Sequence, residues 1–298
     1  MTSQLQILLL GVFMILLTGI TGNIGGATAR TLLAEGVRFR ALVRDITKAA
    51  VWTDKGVELV QGDLESPSLI RSALSGVDRA LLVLPNGEAQ ERLELSFIRT
   101  ARESGLPWII KLSSPEAVRG TTSPIPLAHV AAEDAIRASG MNWTFVRPSF
   151  YMQNFRGSVK TAKSTGRLSM PMGQGTVAVT DNNDAGQLIA RVLTDTDSSR
   201  HHGQCYDITG PDPVMTFLDV ANIIGEIIGQ PVVYDDCDPK AFQDAIRPFH
   251  RNQWHSDAVA TLFAEIASGR TPGHKTDIFQ KIMGRPGRSL RDYLKTLV

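Results

Sequence analysis

Three glycines spaced by two residues follow a short apolar run near the start of the chain, and no other feature constrains the fold as strongly. Residues 16–25 read Leu-Leu-Thr-Gly-Ile-Thr-Gly-Asn-Ile-Gly. In such a pattern Gly19 allows a tight turn out of a strand, and Gly22 lets the backbone approach a pyrophosphate. Gly25 permits a helix to pack closely on the strand. The spacing therefore predicts a strand, a phosphate-binding turn and a helix.

The first half of the chain alternates short apolar runs with helical patterns. The runs are rich in Val, Ile and Leu, which is typical of strands buried on both faces of a parallel sheet. They lie near residues 14–18, 39–43, 57–61, 80–84, 108–112 and 143–146, with helical patterns at 26–35, 67–74 and 91–103. This alternation predicts right-handed βαβ crossovers and a doubly wound α/β sheet of the Rossmann type.

After about Pro148 the alternation loosens, and a second set of elements follows. A strand is predicted near residues 204–208, a helix opening at Thr216 with Asp219 as its capping-box partner, and a strand near 232–234. Helical patterns at 258–267 and 290–297 end the chain. We expect a Rossmann domain over residues 14–150. Residues 151–298 are expected to form a smaller C-terminal α/β lobe whose elements interleave with the sheet.

The apolar run over residues 7–20 raises the question of a signal peptide or a membrane anchor. No Lys or Arg precedes the run and no small-residue cleavage site follows it, which argues against a signal peptide. It is shorter than the roughly 20 residues that cross a bilayer, and its end belongs to the glycine motif. We interpret residues 1–13 as an N-terminal extension without an assigned structure, and we expect a cytoplasmic protein with no membrane partner.

Charge and cysteine content argue against several classes of partner. The 31 Lys and Arg residues against 30 Asp and Glu residues give a net charge of +1 without a basic run, so no nucleic-acid partner is expected. Cys205 and Cys237 form no C-x-x-C pair, and the pair His201 and His202 has no convergent ligands. No metal site is therefore expected. The expected partner is a small-molecule substrate, and a homodimer is compatible with the sequence.

The end of the second predicted strand decides which dinucleotide the turn would bind. A site that prefers NAD places an acidic side chain there to hold the ribose 2′-hydroxyl. This chain has Arg44, about 20 residues after the glycines, and a guanidinium fits the geometry of a 2′-phosphate. The residue type predicts NADP(H) as the cofactor. The alternative is a solvated Arg44 with Asp45 as the ribose ligand.

Further cofactor contacts are expected at the ends of the next two strands. Asp63 follows the third predicted strand, where it either meets the adenine edge or caps the next turn. Leu84 ends the fourth, at the carboxyl edge where ligands of open α/β sheets lie, and it is expected to line the nicotinamide ribose. The predicted cofactor-binding residues are Gly19, Thr21, Gly22, Asn23, Ile24, Gly25, Arg44, Asp63 and Leu84.

Five segments together resemble a known family. Residues 18–25, 43–44, 62–63, 112–114 and 143–148 resemble the NmrA-like group of atypical short-chain dehydrogenases/reductases. The resemblance runs from Met14 to the C-terminus and is most specific as far as Asn154. That group includes NADPH-dependent quinone, azo-dye and triphenylmethane-dye reductases, and also redox-sensing transcriptional regulators that bind dinucleotide without turning it over.

The resemblance also carries a departure from ordinary short-chain dehydrogenases, which use Tyr-x-x-x-Lys on a helix for proton transfer. The matching helix here has His129 and Glu133 at that spacing, as does the quinone-reductase branch of the group. The resemblance implies that His129 is a substrate contact or proton donor, with Glu133 orienting it or packing near the cofactor. Alternatively, the two form a polar pair that closes the helix against the sheet.

The resemblance assigns roles to four more residues. Ser113 stands at the place of the family's strand-end serine, where it either hydrogen-bonds the substrate or the nicotinamide amide, or caps the strand. Phe150, Tyr151 and Asn154 would line the substrate cleft, where aromatic rings suit a flat conjugated acceptor. Aromatic residues after a strand also occur in cores.

These features predict an NADPH-dependent oxidoreductase that transfers hydride to a conjugated acceptor such as a quinone, an imine or a dye. His129 and Ser113 are its candidate catalytic residues. The alternative is a non-catalytic NADP(H)-sensing regulator, which the missing Tyr-x-x-x-Lys pair favours.

Overall fold

The structure is a computed structural model of the chain, and it describes residues 13–249 and 252–298. The predicted N-terminal extension, residues 1–13, lies outside the described residues except for Phe13. Among the helices of those two ranges, none combines the length and the apolarity that crossing a membrane requires.

The first half of the chain builds strands and helices in alternation, as predicted. In chain order these elements are β1 (Ile15–Thr18), α1 (Asn23–Ala34), β2 (Phe39–Val43), α2 (Ala50–Thr53), β3 (Glu58–Gln61), α3 (Pro67–Leu74), β4 (Arg79–Leu82), α4 (Gln90–Glu103), β5 (Trp108–Leu112), α5 (Pro124–Arg137) and β6 (Asn142–Pro148). The predicted Ser66 N-cap and Pro67 start of α3 are confirmed, although the Ser66 side chain makes no capping hydrogen bond.

The second half of the described chain contains shorter strands and seven further α-helices. In chain order these are β7 (Phe150–Tyr151), α6 (Arg156–Thr165), β8 (Arg167–Ser169), β9 (Thr176–Val177), β10 (Val179–Thr180), α7 (Asn182–Thr194), β11 (Gln204–Ile208), β12 (Met215–Thr216), α8 (Phe217–Ile228), β13 (Val233–Asp235), α9 (Pro239–Ile246), α10 (Gln253–Ala267), α11 (Ile278–Met283) and α12 (Leu290–Lys295). The predicted capping box at the start of α8 is confirmed. The Asp219 amide donates to Thr216 Oγ1 at 3.2 Å, and the Thr216 amide donates to Asp219 Oδ2 at 2.8 Å.

Seven strands form the main sheet, in the order β11-β6-β5-β4-β1-β2-β3. Strands β1 to β6 pair in parallel, and all four residues of β1 and of β4 are buried. The predicted doubly wound parallel sheet is therefore confirmed. The chain runs outward from β1 through β2 to β3 and then returns to β4 on the other side of β1. The strand order thus reverses at β1 and β4, which is where open α/β sheets bind ligands beyond their carboxyl ends.

The chain divides into two compact units. The first comprises the described residues up to Ser113 together with Ala128–Arg147 and Ala185–Tyr206, so that most of α7 and most of β11 belong to it. The second comprises Ser114–Leu127, Pro148–Asp184 and Asp207–Val298. Each unit has its own apolar core, with Phe97, Ile109 and Phe145 in the first and Phe155, Phe217 and Leu290 in the second.

Two helices of the first unit approach each other closely. A Cβ atom added at Gly186, in α7, would lie 2.4 Å from Cβ of Ala27 in α1. Only a glycine allows backbones to come so near without displacement. This contact therefore packs α7 directly against α1.

Candidate cofactor and active site

The glycine turn after β1 has the geometry that its spacing predicts. Gly19 has φ of +69°, and a Cβ atom there would lie 2.7 Å from the carbonyl oxygen of Val83. A Cβ atom on Gly25 would lie 2.3 Å from the carbonyl oxygen of Gly19. At Gly22 the nearest protein atom would be 3.3 Å away. The fold itself therefore requires glycine at positions 19 and 25, whereas the bare backbone at Gly22 leaves room for a ligand.

The N-terminus of α1 fits a pyrophosphate. Gly22 is the N-cap residue, no side chain caps the helix, and the first turn contains no acidic residue. Thr21, Gly22 and Asn23 are exposed. The first backbone N–H groups of the helix and its positive dipole end are thus available to an anion, as phosphate binding requires.

Thr18 joins the turn to the neighbouring strand. Its buried hydroxyl accepts the amide proton of Val83 at 2.7 Å and lies 3.0 Å from the carbonyl oxygen of the same residue. The contact places the end of β1 beside the segment that carries Leu84, which is half-buried. The turn and the predicted ribose contact at Leu84 therefore lie at the same edge of the sheet.

Arg44 and Asp45 differ in how far they are available to a ligand. Arg44 is exposed directly after β2, and its side chain has no ion pair or hydrogen bond to any residue in the described part of the chain. Asp45 Oδ1 accepts the amide protons of Lys48 at 3.3 Å and Thr47 at 3.0 Å, and the Lys48 contact lowers the pKa of the carboxyl. Because the carboxylate of Asp45 accepts hydrogen bonds within its own turn, Arg44 is favoured as the ligand-binding group.

Asp63 is likewise engaged in a turn. Its Oδ1 accepts the amide proton of Glu65 at 3.1 Å, one of the two roles that the sequence left open. A contact with adenine stays a prediction.

His129 is oriented by a lysine rather than by Glu133. The imidazole is buried on α5, and its Nδ1 lies 3.0 Å from Nζ of Lys111, in β5. Lys111 Nζ also lies 2.9 Å from Oε1 of Glu94, in α4. Burial holds the pKa of His129 well below its ordinary value, and the positive charges of Lys111 and Arg147 lower it further. His129 is therefore neutral at pH 7.

Glu133 binds a different set of groups. Its carboxylate accepts hydrogen bonds from Ser113 Oγ at 2.6 Å, Arg147 Nε at 2.8 Å and Arg137 at 2.8 Å. These contacts tie α5 to the ends of β5 and β6, while His129 and Glu133 contact different partners. Ser113 is buried and its single hydroxyl proton points to Glu133. A ligand at Ser113 would therefore meet Oγ as an acceptor.

The predicted substrate residues belong to the second unit, and they differ in burial. The ring of Phe150 packs against Phe155, Phe217 and Phe263, with centroids 5.4, 5.9 and 6.0 Å away. Phe150 therefore occupies a core position, which is the alternative to a substrate contact that the sequence allowed for an aromatic residue after this strand. Tyr151 is half-buried and Asn154 is exposed.

Sequence reasoning missed three charged residues. Lys111 interrupts the apolar run Trp-Ile-Ile-Lys-Leu, and a buried charge in such a run requires a partner, which was the available signal. Its partner Glu94 lies in a helix and gave no signal of its own. Glu116 is half-buried in the second unit, and burial raises its pKa although its carboxylate accepts a hydrogen bond from the Ser114 hydroxyl.

Comparisons with known proteins cover nearly the whole chain. A sequence model of the protein family described as "NmrA-like family" matches residues 13–268 of this chain. The chain is 30% identical over 284 residues to the NAD(P)H azoreductase of Xenophilus azovorans, covering 95% of this chain and 97% of the relative. It is 26% identical over 292 residues to quinone oxidoreductase 2 of Escherichia coli (strain K12), covering 95% and 98%. The solved structure of the Citrobacter sp. triphenylmethane reductase complexed with NADP(H) superposes with a TM-score of 0.85 at 25% identity, covering 96% of this chain and 100% of that chain.

Proposed function

The chain belongs to the NmrA-like family, as its motifs predicted, and from this premise we propose that it is an NADPH-dependent reductase. Its substrate is a conjugated small molecule, such as a quinone, an imine or a related dye, that accepts a hydride. The reductase prediction agrees with the activities for which its full-length relatives are named, azo reduction with NAD(P)H and quinone oxidoreduction. It also agrees with the NADP(H) complex of the similar triphenylmethane reductase.

The observation that carries this proposal is the uncapped N-terminus of α1, which follows a turn where Gly19 and Gly25 cannot be replaced without a clash. Backbone amides of Asn23, Ile24 and Gly25 bind the pyrophosphate, and the bare backbone at Gly22 lets it approach. Arg44 holds the 2′-phosphate through charge-assisted hydrogen bonds, since the carboxylate of Asp45 is already engaged. Leu84 lines the nicotinamide ribose.

When bound, NADPH supplies the hydride, so that a quinone gains this hydride and one proton and leaves as a hydroquinone. The residues of this chain contribute position and hydrogen bonding. His129 is neutral at pH 7, so it contacts the acceptor as a hydrogen-bonding group, and the proton that the product gains is drawn from water. Tyr151 and Asn154 remain the proposed substrate residues of the second unit, and Phe150 lies beside them in the apolar core of that unit.

The proposed function is tested by mixing the protein with NADPH and a panel of quinones and azo dyes while the nicotinamide absorbance is followed. We expect absorbance to fall with at least one acceptor, and to fall more slowly with NADH in place of NADPH. His129→Gln serves as the site variant, and we expect it to bind NADPH normally but to turn over more slowly. Tight, redox-selective binding of NADP(H) without turnover of any acceptor would identify a sensor instead.

Two further expectations belong to this proposal. Cys205 and Cys237 are unpaired, as suits a reducing cytoplasm, where we propose that the protein acts on its small-molecule substrate. We also propose that it forms a homodimer. Sedimentation velocity across a concentration series measures the mass in solution, and a monomer at all concentrations would contradict that part.

A further inference from the structure

Lys111 is a cation in the interior of a parallel sheet. Its side chain and that of its partner Glu94 are both 0% exposed. The Lys111 ammonium reaches three groups, which are Oε1 of Glu94 at 2.9 Å, Nδ1 of His129 at 3.0 Å, and the carbonyl oxygen of Leu112. An ammonium has three N–H donors and no acceptor, so these contacts use all of its hydrogen-bonding capacity.

The contact between Lys111 and His129 determines which ring nitrogen of His129 carries the proton. Because the lysine only donates, Nδ1 of His129 accepts, and the single proton of the neutral imidazole resides on Nε2. No hydrogen-bond partner of Nε2 occurs within residues 13–249 and 252–298. The N–H group on Nε2 is therefore available to a ligand.

We propose that Lys111 is a positioning residue of this reductase: it holds His129 as the tautomer protonated on Nε2, so that the imidazole donates a hydrogen bond to the acceptor atom that gains electron density. This inference rests on the proposed function. A neutral imidazole can stabilise developing negative charge in this way, without a charge of its own that would have to be removed from water.

Glu94 explains why a lysine can serve in this position. Burying an unpaired ammonium is strongly unfavourable, and the carboxylate of Glu94 offsets much of that cost. The charged groups that act on His129 are Lys111 in β5 and Arg147 in β6, while Glu94 in α4 and Glu133 in α5 each contact one of these cations. A lysine whose only role was to pair with Glu94 would not need to direct its third N–H at the imidazole.

The first test observes the tautomer directly, without cofactor or turnover. Long-range proton–nitrogen NMR spectra of protein labelled with 15N-histidine distinguish Nε2–H from Nδ1–H, and the His129 signals are assigned by their loss in His129→Gln. We expect the neutral Nε2–H pattern between about pH 5.5 and 8, below and above the ordinary histidine pKa. A proton on Nδ1, or a mixture of both tautomers, overturns the proposal.

The second test removes the lysine without leaving a buried charge. Lys111→Met alone leaves Glu94 as a buried carboxylate without its cation and risks unfolding. The informative variant therefore combines Glu94→Leu with Lys111→Met, which replaces the ion pair with apolar side chains. We expect the His129 signals to show both tautomers. We also expect kcat/KM for a quinone to fall about tenfold, the loss of one hydrogen bond, with the NADPH Kd unchanged.

A pH profile separates positioning from structural support. Burial still lowers the pKa of His129 in the variant, but without the positive charge of Lys111 this pKa rises, so we expect the acid limb of the pH profile to move to higher pH than in the wild type. The matched control is Asp277→Leu with Lys281→Met, which removes an exposed pair whose atoms lie 2.9 Å apart and should change nothing. Unchanged His129 signals and an unchanged pH profile in the buried-pair variant overturn the proposal. Absence of turnover in the wild type removes the proposed function, while the NMR result still decides whether Lys111 sets the tautomer.

Discussion

Gly25 and Gly19 approach so closely that a Cβ atom on Gly25 would lie 2.3 Å from the carbonyl oxygen of Gly19. The first turn of α1 is thereby held directly against the exit from β1. Because the same turn presents the N–H groups that we propose to bind phosphate, this one contact would serve both the packing of the helix and the binding of the cofactor.

We predict that Gly25→Ala lowers both stability and cofactor affinity. The added methyl group meets backbone atoms that have little room to move, and overpacking of this kind costs about 1–3 kcal/mol. Urea unfolding and NADPH titration measure the two effects. Gly22→Ala should weaken NADPH binding with little loss of stability, since its Cβ meets protein only at 3.3 Å. Gly157→Ala is the control, because its Cβ meets nothing within 4 Å. Normal NADPH affinity in Gly25→Ala would argue against the turn as the phosphate site.

We predict that Arg44→Asp reverses the preference for NADPH over NADH. Loss of a charge-assisted contact of about 1.5–3 kcal/mol reduces NADPH affinity on the order of 10- to 100-fold. Fluorescence titration with each nucleotide gives the ratio of the two Kd values. Arg38→Asp is the matched control, since it makes the same charge change at an exposed position just before β2. An unchanged ratio in Arg44→Asp would remove Arg44 from the site.

We predict that Arg147→Met destabilises the first unit markedly. Arg147 and Glu133 are 14% and 2% exposed, and removing Arg147 leaves the buried carboxylate with the more exposed Arg137 as its remaining cation, at a cost of up to about 3 kcal/mol. The free energy of unfolding, obtained from urea titration, reports the change. Glu103→Gln, which breaks an exposed pair with Arg71, should shift it by less than about 0.5 kcal/mol. Equal effects from both substitutions would contradict the importance of burial.

We predict that Glu265 stabilises the second unit at neutral pH and ceases to do so in acid. Burial alone would raise its pKa, but hydrogen bonds from the Thr122 amide at 2.6 Å and the Thr121 hydroxyl at 2.8 Å outweigh it, and the pKa is lowered. The stabilisation is therefore present above the unfolded pKa of about 4.3 and is lost as the pH falls through the folded value. Glu265→Gln should lower the free energy of unfolding at pH 7 more than at pH 3.5. An equal loss at both pH values would disprove the linkage.

Local features of the candidate site were predictable from the sequence. The strand, turn and helix around Gly19, Gly22 and Gly25 depend on backbone conformation and on contacts between near neighbours. The same holds for the capping box of Thr216 and Asp219, which lie three residues apart. Sequence patterns of this kind predict local structure well, because few backbone conformations satisfy them.

The partners of the charged residues were not predictable. The spacing of His129 and Glu133 places them on one face of a helix, and this favoured a contact between them. In the structure His129 contacts Lys111, 18 residues away, while Glu133 binds Arg147, 14 residues away. The position of the strand predicted at residues 204–208 was also not predictable. In the structure this strand lies at the edge of the main sheet, beside β6.

By itself, the sequence determined the order of strands and helices, the glycine turn after β1 and the residue type that follows β2, because these depend on periodicity and on short-range geometry. Only the tertiary structure decided that Lys111, Glu94 and His129 meet in the interior. Their contact depends on the packing of α4 and α5 against one face of the sheet. A charged side chain finds its partner only when folding brings distant segments together and excludes water from between them.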